Sequence, residues 1–154
     1  MKAVKLITSI VISFVAGAVG SLATISNIPT WYAELEKPLL NPPNFVFGPV
    51  WTTLYLLMGI ALYLVWTNKA AKSKPIAYVA FAAQLILNAL WSLVFFGLHS
   101  PELGILVIIL LMGAIVATMI TFYRFSKPAA YLLIPYLLWV CFATYLTVGV
   151  AVLN

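Results

Sequence analysis

Across 154 residues, 65% of side chains are hydrophobic and 7% charged, whereas a soluble domain carries about 25% charged residues. That excludes a water-soluble globular domain, and the net charge of +5 points to anionic lipid rather than to nucleic acid. The eight basic and three acidic residues leave five long uncharged windows, 6–33, 38–68, 75–101, 103–123 and 128–154. Each holds the roughly 20 residues a helix needs to cross a hydrocarbon core of about 30 Å. The expected fold is therefore an all-α membrane protein, a bundle of five transmembrane helices near 5–26, 46–67, 76–97, 103–124 and 129–152, forming one domain over 1–154.

The first element has two readings. MKAVK, the apolar run after it and the small-residue stretch AGAVGS also fit a secretory signal peptide. The apolar run exceeds the roughly 7 to 15 residues of a signal core. Small residues also recur every four positions, as Ser9, Ser13, Gly17, Ser21 and as Ala16, Gly20, Thr24. This spacing suits close helix packing in lipid and favours a retained helix.

Between the first two helices, over 27–45, lies a long loop containing most of WYAELEKPLLNPPNFVFGPVW. Pro38, Pro42, Pro43 and Pro49 remove four backbone donors and bias the preceding residues away from helix, leaving room for a short turn before Lys37. A flexible linker of this length would be polar, whereas this one carries Trp31, Tyr32, Leu35, Leu39, Leu40, Phe45, Val46 and Phe47. It reads as a rigid aromatic lid over one end of the bundle.

Three helices carry aromatic stripes. Trp51, Tyr55, Met58 and Leu62 align on the second helix, and Gln84, Asn88, Trp91 and Phe95 on the third. Pro135, Trp139, Phe142, Ala143 and Leu146 align on the fifth. Asn and Gln also serve as interhelical glue, at about 0.6 kcal/mol per hydrogen bond. Trp31, Tyr32 and Trp66 sit near helix ends and read as interfacial anchors. Trp51, Trp91 and Trp139 are less easily assigned to an interfacial belt, and the expected site is a cavity lined by the three stripes beneath the lid.

Alternating connections put Lys2, Lys5, Lys69, Lys72, Lys74, Arg124 and Lys127 on one side, and Lys37 with Glu34, Glu36 and Glu102 on the other. The positive-inside rule then places the N-terminus in the cytoplasm and the C-terminus outside the cell membrane. The single Cys141 and single His99 provide no cluster for a metal or haem. No window carries a mid-depth ionisable residue, so ion-coupled transport has no visible coupling group.

The run WYAELEKPLLNPPNFVFGPVWTTLY, with QLILNALWSLVFFG and LLIPYLLWVCFATYL, closely resembles the TspO/MBR family of tryptophan-rich sensory proteins, translocator proteins or peripheral-type benzodiazepine receptors. The resemblance runs from the first helix to the fifth. It implies a five-helix bundle, a homodimer, and binding of porphyrins such as protoporphyrin IX, of sterols in some members, and of benzodiazepine or isoquinoline-carboxamide drugs beneath the first loop. It further implies tetrapyrrole transport or signalling, and light-dependent porphyrin breakdown in bacterial members. Carried over, the ligand contacts fall on Tyr32, Pro42 to Phe45, Trp51, Tyr55, Asn88, Trp91, Trp139, Phe142, Ala143 and Leu146. Two departures stand out. Thr147 occupies a position where many members have Asn, and no basic residue follows Tyr145 to complete the sterol-linked pattern. Leu57, Tyr63 and Lys69 satisfy that degenerate pattern elsewhere, but in so Leu-rich a chain such a match arises by chance.

The favoured function is a receptor or transporter that binds tetrapyrroles and has no metal or organic cofactor of its own. An enzyme is the alternative, degrading bound porphyrin by photooxidation with Trp51 and Trp139 as catalytic partners. A structural membrane subunit, its aromatics serving only as packing, is the third reading.

Overall fold

The computed structural model describes residues 1–69 and 74–154. Lys72, counted above with the basic residues of one side, lies outside the described residues. Among the described residues, five helical segments are long and apolar enough to span a bilayer: Lys2–Asn27, Asn44–Thr67, Lys74–Gly97, Pro101–Tyr123 and Lys127–Leu153. With no water in the hydrocarbon core, the backbone hydrogen bonds must close within each segment, and only helices or closed barrels achieve this. The chain is an all-α multi-pass membrane protein.

Helix α1 is Lys2–Asn27, and its buried residues are Ser9, Ser13 and Gly20, all members of the small-residue repeats. Ser9 and Ser13 donate to the carbonyls of Lys5 and Ser9, so their hydroxyls are satisfied within the helix. The short helix α2, Trp31–Glu34, supplies the turn expected before Lys37. A 3-10 turn at Asn44–Val46 leads into α3, Phe47–Thr67. Pro49 lies in the first turn of α3, where its missing N–H has no intrahelical acceptor to lose. Gly59 is required where α3 meets α1, because a Cβ there would stand 2.6 Å from the Ile10 Cα.

Helix α4, Lys74–Ser92, ends in a π-helical turn at Leu93–Gly97, with the Leu98 amide bonded to the Leu93 carbonyl at 3.0 Å. The wider turn buries three consecutive residues, Val94, Phe95 and Phe96, and so turns two phenylalanines toward the lid at once. Helix α5, Pro101–Tyr123, follows directly.

The fifth span is not the continuous helix expected from the sequence. It comprises α6, Lys127–Tyr131, and α7, Ile134–Leu153. Pro135 has no N–H for the Tyr131 carbonyl, and the intervening turn is closed instead by tighter bonds such as Leu133 to Ala130 at 3.1 Å. Ser126 caps α6, its hydroxyl accepting from the Ala129 amide at 3.3 Å.

The packing order around the bundle is α3, α1, α4, α5, then α6 and α7, and α3 closes the ring by packing on α6. Toward the lid α3 meets α7 through aromatic side chains, Trp51 with Tyr136 and Phe47 with Trp139. Two ends are thereby distinguished: a lid end at Asn27, Phe47, Gly97 and Leu153, and a basic end at Lys2, Thr67, Lys74 and Lys127.

Candidate functional site

The lid is fastened to the bundle at several points. Trp31 lies flat on His99, with ring centroids 4.6 Å apart, and edge-on to Phe95 at 5.6 Å. Tyr32 is buried against Phe95 and Phe96, and its hydroxyl donates to Asn41 Oδ1 at 2.8 Å. Burial pushes the Tyr32 phenol up from its ordinary pKa, with the hydrogen bond to Asn41 opposing. Pro38 is buried on Gly149, where a Cβ would come within 2.7 Å of its ring. Asn154 makes a paired amide contact with Glu36, accepting from its N–H and donating to its carbonyl, both at 2.9 Å. Phe45, by contrast, is 77% exposed, and Pro42 is half-buried.

Beneath the lid the stripes of α3 and α4 converge. Asn88 is the hub: its Oδ1 accepts from the Tyr55 hydroxyl at 2.5 Å, and its Nδ2 donates to the Tyr136 hydroxyl at 3.0 Å. Burying an amide and two phenols in hydrocarbon is tolerable because they satisfy one another. Trp51 stacks on Tyr55 at 5.6 Å and meets the edge of Tyr136 at 6.3 Å. One turn toward the lid, Trp91 stacks on Phe95 at 5.3 Å. Trp139, also one turn lidward of the network, packs against Phe47 and Phe142 at 6.0 and 5.5 Å.

Tyr136 was not among the residues singled out from the sequence, although it stands in the run LLIPYLLWVCFATYL. The buried residues of α7 are Tyr136, Val140, Ala143, Leu146, Thr147 and Val150. The Pro135–Trp139–Phe142 stripe lies to one side of that face. It forms a wall of a groove of about 670 Å³ between α3 and α7, shared with Val50, Leu54 and Leu57. Ala143 and Leu146 belong to the interior, and Thr147 bonds back to the Ala143 carbonyl at 2.8 Å. The stripes thus serve two neighbouring places: a packed polar-aromatic interior and a lateral groove beside it.

Among the described residues, three buried polar side-chain atoms have no hydrogen-bond partner: Gln84 Oε1, Trp91 Nε1 and Trp139 Nε1. Two of them are indole donors on the lidward side of the satisfied network. Leaving such a group unpaired costs about 1–3 kcal/mol, so these are the positions at which an external acceptor gains most. Among the described residues no three His, Cys, Asp or Glu side chains gather as metal ligands.

Five apolar spans around an aromatic interior, with a proline-rich first loop seated as a fitted cover, define a particular class of multi-pass membrane protein. The chain belongs to the TspO/MBR family, whose pattern it matches over residues 9–153. It is 44% identical to the tryptophan-rich protein TspO of Archaeoglobus fulgidus over 154 residues, covering 100% of this chain and 99% of that one. It is 42% identical to the human translocator protein over 116 residues, 74% of this chain and 69% of the relative. Identity to the tryptophan-rich sensory protein of Cereibacter sphaeroides is 35% over 128 residues, 83% and 79% of the two chains.

Proposed function

We propose that this protein binds flat, largely apolar ring systems of the tetrapyrrole class, protoporphyrin IX among them, within a single five-helix domain, and acts in their transport or sensing. The carrying observation is the pair of indole donors without a partner among the described residues, Trp91 Nε1 stacked on Phe95 and Trp139 Nε1 tilted against Phe142. Rings supply face and edge contacts to a planar ligand. The indole N–H groups supply donors for a carbonyl, carboxylate or unprotonated pyrrole nitrogen. Isoquinoline-carboxamide and benzodiazepine-type compounds present the same combination of flat rings and a carbonyl acceptor. Trp51, Tyr55, Asn88, Phe142, Ala143 and Leu146 complete the contacts, with Tyr32, Pro42 and Phe45 contributed by the lid.

A second reading, photooxidative degradation, is favoured by the contact of Trp51 with both Tyr55 and Tyr136. The hydroxyl of Tyr55 donates only to a neutral amide, which is too weak a base to take its proton. Under light, with dioxygen as the oxidant that breaks the macrocycle, the indoles of Trp51 and Trp139, which need no base to give up an electron, would serve as electron partners of the excited porphyrin.

One titration separates these readings and the structural one. Porphyrin absorbance and Trp quenching are followed in detergent, first in the dark and then under light. Saturable binding with no protein-dependent bleaching supports the binder, protein-accelerated bleaching supports the enzyme, and absence of binding leaves a structural subunit. Under the enzyme reading, a variant with both Trp51→Phe and Trp139→Phe still binds, up to about tenfold more weakly for the lost donor. It consumes porphyrin no faster than detergent alone.

The basic end is assigned to the cytoplasm of a cell-membrane protein, with the C-terminus outside, and the functional unit is assigned as a homodimer. Support for the first is the seven-to-one division of basic residues; the second is carried over from the family.

A further inference from the structure

The groove between α3 and α7, of about 670 Å³, falls within the roughly 300–1,000 Å³ of small-molecule sites. Among the described residues no hydrogen bond joins these two helices. The polar ties of α3 run elsewhere: Tyr55 donates to Asn88 on α4, Met58 accepts from Gln84 on α4, and Asn68, at its end, donates to the Phe125 carbonyl. Two edge-on ring pairs cross the seam, Phe47 with Trp139 at 6.0 Å and Trp51 with Tyr136 at 6.3 Å.

The groove looks outward to lipid and inward to the aromatic interior. Its outer rim is Pro49, Thr53, Pro135 and Leu138, all exposed, Leu138 at 64%. That rim presents no unmet donor to a passing molecule: the two prolines have no N–H, and the Thr53 hydroxyl donates to the Pro49 carbonyl at 2.9 Å. Its inner wall is the buried Leu54 with Trp139 and Phe142, the last two also belonging to the proposed contact set. Trp139 therefore stands between the two spaces, and its indole N–H is buried without a partner among the described residues.

The lid end is closed more firmly. The stack of Trp31 on His99, the seat of Pro38 on Gly149 and the paired bonds of Asn154 with Glu36 must part before anything enters beneath the cover. A largely apolar planar molecule concentrates in the bilayer rather than in water, so it meets the seam before it meets the lid. We infer that the α3–α7 groove is a lateral portal, through which the planar ligand of the proposed function passes between the hydrocarbon core and the interior, with Phe47 and Trp139 as its gate. Passage takes rotation of side chains, with the lid fastened and the helix backbones unbroken.

The portal rests on the binding reading, so the probe is protoporphyrin IX, mixed in the dark with the full chain in phosphatidylcholine vesicles. Stopped-flow Trp quenching reads association, and excess protein-free vesicles then read dissociation. Leu138→Trp and Thr53→Trp plug the rim from opposite walls. Each should slow both rates by the same factor, about tenfold or more, with Kd within about twofold of the natural chain, because a plug across a route raises the barrier in both directions and leaves the end states alone. The two plugs sit on different helices, so a folding defect in one leaves the other to decide. Leu138→Ala, which widens the rim, should slow neither rate. Asn154→Ala, its loosened lid verified by hydrogen exchange at Glu36, should leave both rates unchanged. Natural rates in the plugged variants overturn the portal, as do faster rates in Asn154→Ala, which would put the entrance under the lid. It is also overturned if a plug weakens Kd through dissociation alone, which would make the groove part of the resting site. Absence of saturable binding to the natural chain overturns the binding reading and the portal together, whereas the other outcomes leave that reading standing.

Discussion

Asn88 shows most clearly how a single residue organises this interior. An amide at 2% exposure in the middle of a membrane helix needs partners, and Tyr55 and Tyr136 use one of its acceptor sites and one of its donors. Asn88→Leu strands the Tyr55 proton, and a loss of about 1–2 kcal/mol is expected in reversible unfolding in detergent. Tyr136→Phe strands an Asn88 N–H in the same way and should cost a similar amount. An Asn88→Leu variant as stable as the natural chain would mean the network contributes nothing. Binding is expected to depend most on the tryptophans. Truncating Trp51 or Trp139 to Ala should weaken porphyrin affinity by about 2 kcal/mol, near thirtyfold. Trp66→Ala, at the basic end, should leave affinity within a few-fold. Equal losses at all three positions would indicate general destabilisation.

Tyr32 provides the residue-scale pH dependence. Its phenol is held above the ordinary value near 10 by burial, so the closed lid favours the neutral form. In an open lid it would ionise near pH 10, so closure should be constant up to there and weaken as pH rises further. Trp quenching by an aqueous quencher, followed against pH, reads this. Loosening well below pH 10 would exclude Tyr32 as the cause.

At the scale of elements, the lid and the α1–α3 contact are the parts that point changes should move separately. Asn154→Ala removes the acceptor for the Glu36 amide, so hydrogen exchange at Glu36 should rise about fivefold or more, with the spans unaffected. Gly59→Ala places a methyl against the Ile10 backbone and should cost about 1–3 kcal/mol. Gly48→Ala is the control, because nothing lies within 4 Å of a Cβ there.

The elements also divide by how legible they were. The five spans follow from long uncharged windows, and the cover follows from a proline-rich loop too apolar to be a linker. Asn88 stood out because a polar side chain is conspicuous in such a sequence. The orientation of α7 did not, because a helix apolar on every side has no polar face to show which side turns inward. Of the expected stripe, Pro135, Trp139 and Phe142 line the groove, whereas Ala143 and Leu146 share the buried face with Tyr136, Val140 and Thr147. The π-turn at Leu93–Gly97 was equally hidden, since it depends on how Phe95 and Phe96 meet Trp31 and Tyr32, which are distant in sequence. Asn154 and Gly149 gain their roles only once Glu36 and Pro38 fold back on them.

The whole molecule is a ring of helices with a groove along the α3–α7 seam, a cover at one end and positive charge at the other. That asymmetry sets its orientation, so a C-terminal tag should be reached by an impermeant label on intact cells and an N-terminal tag should not. The opposite labelling would turn the lid toward the cytoplasm. The central claim, that the two partnerless indole donors belong to a ligand, is tested most directly by equilibrium titration of protoporphyrin IX in the dark against the natural chain and a variant carrying both Trp91→Phe and Trp139→Phe. Phenylalanine keeps most of the aromatic contact and removes the N–H. The ligand-free variant should be as stable as the natural chain or slightly more so, since two unpaired buried donors are gone. Its affinity should fall by about tenfold to a hundredfold, one charge-free hydrogen bond per indole. Unchanged affinity in a folded double variant would contradict the account and return both tryptophans to packing.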